Sequence, residues 1–432
     1  MVEQKQILDI LRSEIEPTAG CTDPGSVCLA AAVAAHALGA CPETIEVLVS
    51  PNLYKNGVSV GIPGTGRKGL RLAAALGALL RTPERGMAIL SDVTEEKVLQ
   101  AESLVKGGGV RVTYGQTPDP LYVRALVSRR TDWAQATIRG DYSRVTELLY
   151  NGQPVLQKQV SADEAAASPM LSHSVEEWYN AIVGMEPECF RFLLEHARCN
   201  LAAAETDMSD PALQLGKALK KRVTEESTGP LAVAAAAQAY TAAAAEARMC
   251  GLNVPIMAIA GSGNHGITNF VGVLSAAEAM GASERQILTA LAISSMITVR
   301  IKTHVRRMTA FCGCGVAAAT GMTAAMVYLL GGNFAQAVQA MQTVLGTIGG
   351  MLCDGAKISC AYKLSTAAAL AVQAAYLSLE GCCVPAGEGI IGATIEQTFA
   401  NIGRINNPGM TATDREMIAI IAESQQNTDS CG

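Results

Sequence analysis

The chain has 432 residues, with 33 Lys and Arg against 39 Asp and Glu and a net charge of -6. Its length exceeds what one hydrophobic core usually serves, so two or three domains with a well-buried interior are expected. The charge is spread without acidic or basic blocks, which excludes the electrostatic footprint of a nucleic-acid binder and leaves a small molecule as the expected partner.

In chain order, residues 1–40 read as a charged amphipathic helix, a loop over Pro17–Pro24 and an Ala-rich helix over Ser26–Leu38. The first segment has no apolar h-region and is not read as a signal peptide. From Thr44 the period changes. TIEVLVS and VSVGI are strand-like, and Lys55-Asn56-Gly57 between them reads as a hairpin turn. MAIL (87–90), VRVTY (110–114) and LYVRALVS (121–128) are further strand patterns, alternating with helical ones at Gly69–Leu80 and Thr94–Val105. SADEAAASP (161–169) reads as a linker. Beyond Ser174, Ala-rich helices are broken by Gly-containing stretches at 260–266, 312–315, 346–355 and 381–392.

The expected fold is α+β: an Ala- and Gly-rich, mainly helical catalytic domain (1–40 and 170–432) with an inserted α/β domain (41–165). The most apolar stretches, Leu231–Ala245 and Leu364–Leu377, are about 15 residues long and fall short of the roughly 20 needed to span a bilayer. A cytoplasmic protein with neither membrane nor nucleic-acid partner is expected, with a homodimer as the assembly allowed for.

Thirteen cysteines are many for a reducing compartment, and none forms a C-x-x-C pair, which disfavours a zinc ribbon or finger. For any one of them the plain reading is a buried small hydrophobe. CGCG at Cys312 and Cys314 and LCDGAKISC with Cys353 and Cys360 lie in the Gly-rich breaks, where two loops supplying about three thiolates suit an iron-sulfur cluster with one iron left for substrate. Gly313, Gly315 and Gly355 would let backbone N–H groups approach the cluster's sulfides.

Cys21 in PTAGCTDPGS stands just ahead of a helix start. It is either a buried loop thiol or a thiol of lowered pKa, serving as a base or an exchangeable ligand. GSGNHGITN (261–269) could hold a carboxylate or phosphate on backbone N–H groups. It is similar to a loop of pyridoxal-phosphate-dependent threonine dehydratases, but that chemistry requires a Schiff-base lysine upstream, and no lysine lies between Lys221 and Lys302. His265 alone is equally well a satisfied core histidine. The run VRIKTHVRR (299–307) is either a solvated helix face or charge compensation for an anionic centre.

Taken together, GCTDPG (20–25), SPNLYKNGVSVGIPGTG (50–66), GSGNHGI (261–267), FCGCGVAAATGM (311–322) and LCDGAKISCAYK (352–363) resemble the L-cysteine desulfidases, relatives of the α-chain of iron-sulfur L-serine dehydratases. The resemblance spans essentially the whole chain. It implies a [4Fe-4S] cluster on Cys312, Cys353 and Cys360, with Cys314 as the alternative first ligand. It also implies Cys21 as the active-site cysteine, and a pocket that includes Lys55, Asn56, Asn264 and His265 for a small amino-acid substrate. The implied reaction is β-elimination of L-cysteine to pyruvate, ammonia and sulfide by an oxygen-sensitive lyase. The alternatives are an iron-sulfur L-serine dehydratase and a non-catalytic amino-acid or redox sensor. PTAGCTDPG in place of the dehydratases' serine- and histidine-rich N-terminal motif favours cysteine as substrate.

Overall fold

Branched apolar residues at every second position of Thr44–Val49 give a strand whose Ile45, Val47 and Val49 are buried on one face. In the computed structural model, which describes residues 2–158, 168–221, 229–305 and 308–430, it is one of ten strands. They are β1 (Ile15–Ala19), β2 (Thr44–Val49), β3 (Gly61–Ile62), β4 (Arg67–Lys68), β5 (Val110–Tyr114), β6 (Tyr122–Arg129), β7 (Asp132–Arg139), β8 (Val145–Tyr150), β9 (Gln153–Gln157) and β10 (Pro255–Ile259). The sequence linker falls largely on residues 161–167, and Arg306 and Arg307 of the basic run likewise lie outside the described residues.

Six strands form one mixed sheet in the order β5-β2-β6-β7-β8-β9, with β2 and β5 parallel and the remaining pairs antiparallel. The parallel pair needs a crossover, and helices Leu70–Leu80 and Glu95–Lys106 supply it. Helix Thr22–Leu38 packs with the first of these on the buried face of the sheet. Its small side chains permit close approach: the Cα of Gly77 meets the backbone of Cys28 with no room for a Cβ.

The rest is helical. Helix Gly229–Cys250 is apolar on most sides and buried, as its alanines require. It packs with Arg191–Ser209 and Ser359–Leu379, and Glu284–Val305 with Ala319–Leu329 complete the larger core. Two capping boxes, Ser174 with Glu177 and Asn333 with Gln336, start helices Val175–Val183 and Phe334–Ile348. The class is therefore α+β, and among the described residues no helix is long and apolar enough to cross a membrane.

Four local expectations are corrected. The Lys55-Asn56-Gly57 turn is the end of a short helix, Pro51–Gly57, begun by Ser50 and the Pro at its first position. VSVGI contributes only β3, which pairs with β4. MAIL lies in 3-10 turns, Pro83–Asp92, whose Met87, Ile89 and Leu90 are buried; a short apolar run is compatible with either geometry. The Pro17–Pro24 loop is split between β1, paired antiparallel with β10, and the first turn of helix Thr22–Leu38.

Candidate active site

Two cysteine loops are stitched together by backbone. Phe311 and Leu352 form an isolated antiparallel bridge, with Cys312 N donating to Met351 O at 2.6 Å and Cys353 N to Ala310 O at 2.9 Å. Cys312 and Cys353 are thereby placed diagonally across the bridge, near enough for their charges to couple. Cys314 opens a π-helical segment, Cys314–Ala318, and Cys360 sits in the first turn of helix Ser359–Leu379. Local π geometry is costly and tends to mark functional positions.

These four thiols sense one another's charge. Cys312 is held below the ordinary thiol range, first by a hydrogen bond from Cys314 and then by the N–H of Gly315 and the nearby Lys363 ammonium. Cys314 is pushed up by the same hydrogen bond and by burial. Burial raises Cys353, and it raises Cys360 to about 12, with the neighbouring sulfurs adding to both. Lys363 donates to Leu352 O at 2.9 Å and pairs with Asp354, which fixes a cation beside the group.

Among the described residues no three His, Cys, Asp or Glu side chains close on a single metal ion. One ion with bonds of about 2.3 Å would pull its sulfurs to within roughly 4 Å of each other. A cubane is larger and spreads its ligands, so a looser set of buried and half-buried thiols from two abutting loops is the donor chemistry that fits it. The glycines fit as well. Gly315 leaves its N–H to Cys312, and Gly355, at φ +97°, lies against the carbonyl of Lys55 where a Cβ would overlap it.

That last contact joins the cysteine loops to the N-terminal part. Ala356 N donates to Asn56 O at 3.3 Å, so the backbone of Lys55 and Asn56 lines the second loop. The Lys55 side chain is buried, with Nζ 2.5 Å from Asp414 Oδ1 and 3.3 Å from Thr309 O. It ties the C-terminal helix Thr411–Ser430 to the segment leading into Cys312. Asn56 Nδ2 donates to Asp23 Oδ1 at 3.3 Å, while Asn56 Oδ1 is buried with no partner among the described residues.

Cys21 is the N-cap of helix Thr22–Leu38, as its sequence suggested, yet the expected lowering of its pKa is overturned. The thiol is only 3 % exposed and its Sγ lies 3.4 Å from Asp23 Oδ2, so burial and the carboxylate's charge push it far up despite the helix terminus and Arg248. Asp23 itself is raised to about 6 by burial, against the hydrogen bonds from Asn56 and Cys21. At neutral pH the carboxylate is ionised and the proton rests on sulfur. Cys21 is thus coupled to Asp23 and Arg248, and it packs in one cluster with Cys312, Cys314 and Cys360.

GSGNHG closes the other side. Gly266 yields room to the carbonyl of Met257, and Gly313 of the first cysteine loop yields room to His265 Nε2. The other ring nitrogen, Nδ1, is 3.1 Å from Ile259 O, so Nδ1 carries the proton and Nε2 faces the cysteine loop. Asn264 Oδ1 accepts from Arg248 at 2.7 Å. Five segments distant in sequence are therefore brought together: 20–23, 55–56, 263–265, 312–314 and 353–360.

Five charged participants are not among the residues that the sequence singled out; Asp354 and Lys363 lay inside the LCDGAKISCAYK motif. Asp23 stood inside the GCTDPG motif and was legible there. Asp414 and Arg248 were not: the first follows an unremarkable turn, and the second is one charged residue at the end of an Ala-rich helix.

The chain matches the model of the serine dehydratase alpha chain over residues 84–419. It is 47% identical over 421 residues to a protein of Methanocella arvoryzae named UPF0597 protein, covering 98% of this chain and 99% of that one. Proteins of the same name from Desulfatibacillum aliphaticivorans and Clostridioides difficile are each 35% identical, over 98% and 96% of this chain and 99% and 98% of theirs. Cys21, Asp23, Lys55 and Asn56 precede the stretch that the family model matches.

Proposed function

The chain belongs to the serine dehydratase alpha chain family, and from that premise we propose that it is an iron-sulfur lyase eliminating sulfide from L-cysteine. Iron-sulfur dependence is general in that family. The observation that carries the reading is the convergence of thiols from two bridged loops, Cys353 half-buried and the others buried, with Cys21 packed in the same cluster. Cys312, Cys353 and Cys360 would hold a [4Fe-4S] cluster, Cys312 being preferred to Cys314 because its surroundings favour the anion. A bound cluster supplies a Lewis acid for the leaving sulfur.

The chain's own residues handle the substrate and one proton. The Cys21 thiol proton passes along its hydrogen bond to Asp23 Oδ2, and the Cys21 sulfur takes the proton from the substrate's Cα. The Cβ–S bond then breaks, the electron pair leaving with sulfur as sulfide. The aminoacrylate released tautomerises to an imine, and water converts that to pyruvate and ammonia. The orphaned Asn56 Oδ1 is an acceptor suited to the substrate's ammonium, and His265 over Gly313 closes the pocket. We also assign residues 41–165 to an inserted domain that delivers the Lys55–Asn56 segment.

The family's name favours L-serine as the competing substrate. Anaerobic reconstitution followed by assay of pyruvate and sulfide decides: L-cysteine is expected to give both at the higher kcat/KM. Pyruvate from serine alone would reassign the substrate, and a protein that binds no iron or yields no pyruvate from either would overturn the reading.

A further inference from the structure

Arg248 is only 3 % exposed, near the end of helix Gly229–Cys250. Its Nε donates to Gly20 O at 3.1 Å and its NH1 to Asn264 Oδ1 at 2.7 Å. Both partners are neutral, and among the described residues no carboxylate reaches ion-pair distance of it. A guanidinium has five N–H donors, so three are left without an acceptor among the described residues. The Asp23 carboxylate is near enough to feel its charge but does not pair with it directly, and a buried cation with unused donors is costly unless a further anion is brought to it.

The backbone is arranged around this group. A Cβ on Gly263 would come within 2.6 Å of Nε, 2.8 Å of Cζ and 2.9 Å of NH2, so the guanidinium rests on a position that only glycine leaves open. The two residues it holds, Gly20 and Asn264, adjoin Cys21 and His265. The acceptor left without a partner among the described residues, Asn56 Oδ1, belongs to the residue bonded to Asp23. A buried cation with unused N–H donors and an orphaned buried acceptor, both flanking Cys21–Asp23, match the carboxylate and the ammonium of an α-amino acid.

We infer that Arg248 receives the substrate's carboxylate through its free N–H fork and thereby restricts the site to amino acids with a free carboxylate. This rests on the lyase reading above. It makes Arg248 a specificity-determining residue, and it explains Gly263 as the clearance that residue requires. Bidentate pairing of guanidinium with carboxylate is the geometry such a fork provides.

The test compares L-cysteine with cysteamine, which keeps the amine and thiol and lacks the carboxylate, using reconstituted wild-type, Arg248→Gln and Arg248→Lys enzymes. Iron content and far-UV circular dichroism verify folding. In the wild type, L-cysteine is expected to raise the melting temperature and cysteamine to do so far less. In Arg248→Gln the KM for L-cysteine should rise roughly 10- to 100-fold, the loss of a charge-assisted bond, and the two ligands should stabilise alike. Arg248→Lys should recover part of the difference. A folded Arg248→Gln enzyme with wild-type KM and wild-type discrimination overturns the inference. Should the Arg248 variants not fold, Gly263→Ala, which crowds the guanidinium but keeps its charge, decides the matter: a raised KM supports the assignment and an unchanged one refutes it. Loss of the lyase reading would show separately, as a wild type that makes no pyruvate; carboxylate-dependent stabilisation abolished in Arg248→Gln would still support the anchor.

Discussion

Asp414→Ala is the perturbation whose cost follows most directly from geometry. The residue's carboxylate meets the Lys55 ammonium at 2.5 Å, and the two side chains are 14% and 0% exposed. At that distance, with an effective dielectric constant of about 20, the gross attraction is about 7 kcal/mol, most of it cancelled by the desolvation of both groups. Removing one partner leaves that desolvation uncompensated: Lys55 would keep only the Thr309 carbonyl, and the expected loss is about 3–5 kcal/mol. Taking the lower end of about 2–4 °C per kcal/mol, since the chain is large, the melting temperature should fall by roughly 6–10 °C. The double variant Lys55→Met with Asp414→Leu removes both charges and should recover most of that fall. Thermal denaturation under anaerobic conditions, with iron measured beside it, is the assay. Because Lys55 and Asn56 line the second cysteine loop, iron retention should fall along with stability in the single variant. A single variant melting within 2 °C of wild type, or a double variant less stable than the single, would refute the reasoning.

Three other expectations can be checked with the same preparations. The proton on Asp23 is held more tightly in the folded chain, at about 6 against an ordinary 3.8, because burial outweighs Asn56, Cys21 and Arg248; its contribution therefore becomes unfavourable as pH rises from about 4 to 6 and stays so above. Asp23→Asn should melt higher than wild type at pH 7–8, by the equivalent of about 3 kcal/mol, with the gap closing near pH 4 and activity lost; a variant less stable at pH 8 contradicts this. Cys312→Ala should purify with little iron while Cys314→Ala keeps most of it, and the reverse pattern would exchange the two assignments. Gly313→Ala puts a Cβ into His265, which cannot turn aside without losing its bond to Ile259 O, so iron content below half of wild type with unchanged far-UV circular dichroism is expected.

Much of the fold was legible because it depends on local periodicity. The alternation in Thr44–Val49 and Tyr122–Arg129 and the helical pattern of Leu70–Leu80 describe residues that meet the core on one face, and the sequence carries that information whatever the partner is. The meander β7–β9 was within reach too: Asn151-Gly152, both at positive φ, is a hairpin turn between β8 and β9. Ser50-Pro51 likewise announced a helix where the Lys55-Asn56-Gly57 turn was expected. The pairing of β1 with β10 was not legible, since Ile15–Ala19 finds its partner some 240 residues away.

For the site, the chain alone determined which residue types could act: the cysteines in Gly-rich breaks, Cys21 ahead of a helix, and the GSGNHG loop. Only the tertiary structure decided which of them meet and in what state of charge. Gly313 under His265, Gly355 against Lys55 and Gly263 beneath Arg248 are recognisable in sequence merely as glycines; the need for glycine comes from a second segment passing within van der Waals distance. The same holds for charge. A helix N-terminus favours a thiolate at Cys21, but burial beside Asp23 reverses the sign, because the desolvation of an anion in a packed interior outweighs a terminal dipole that acts over a single turn.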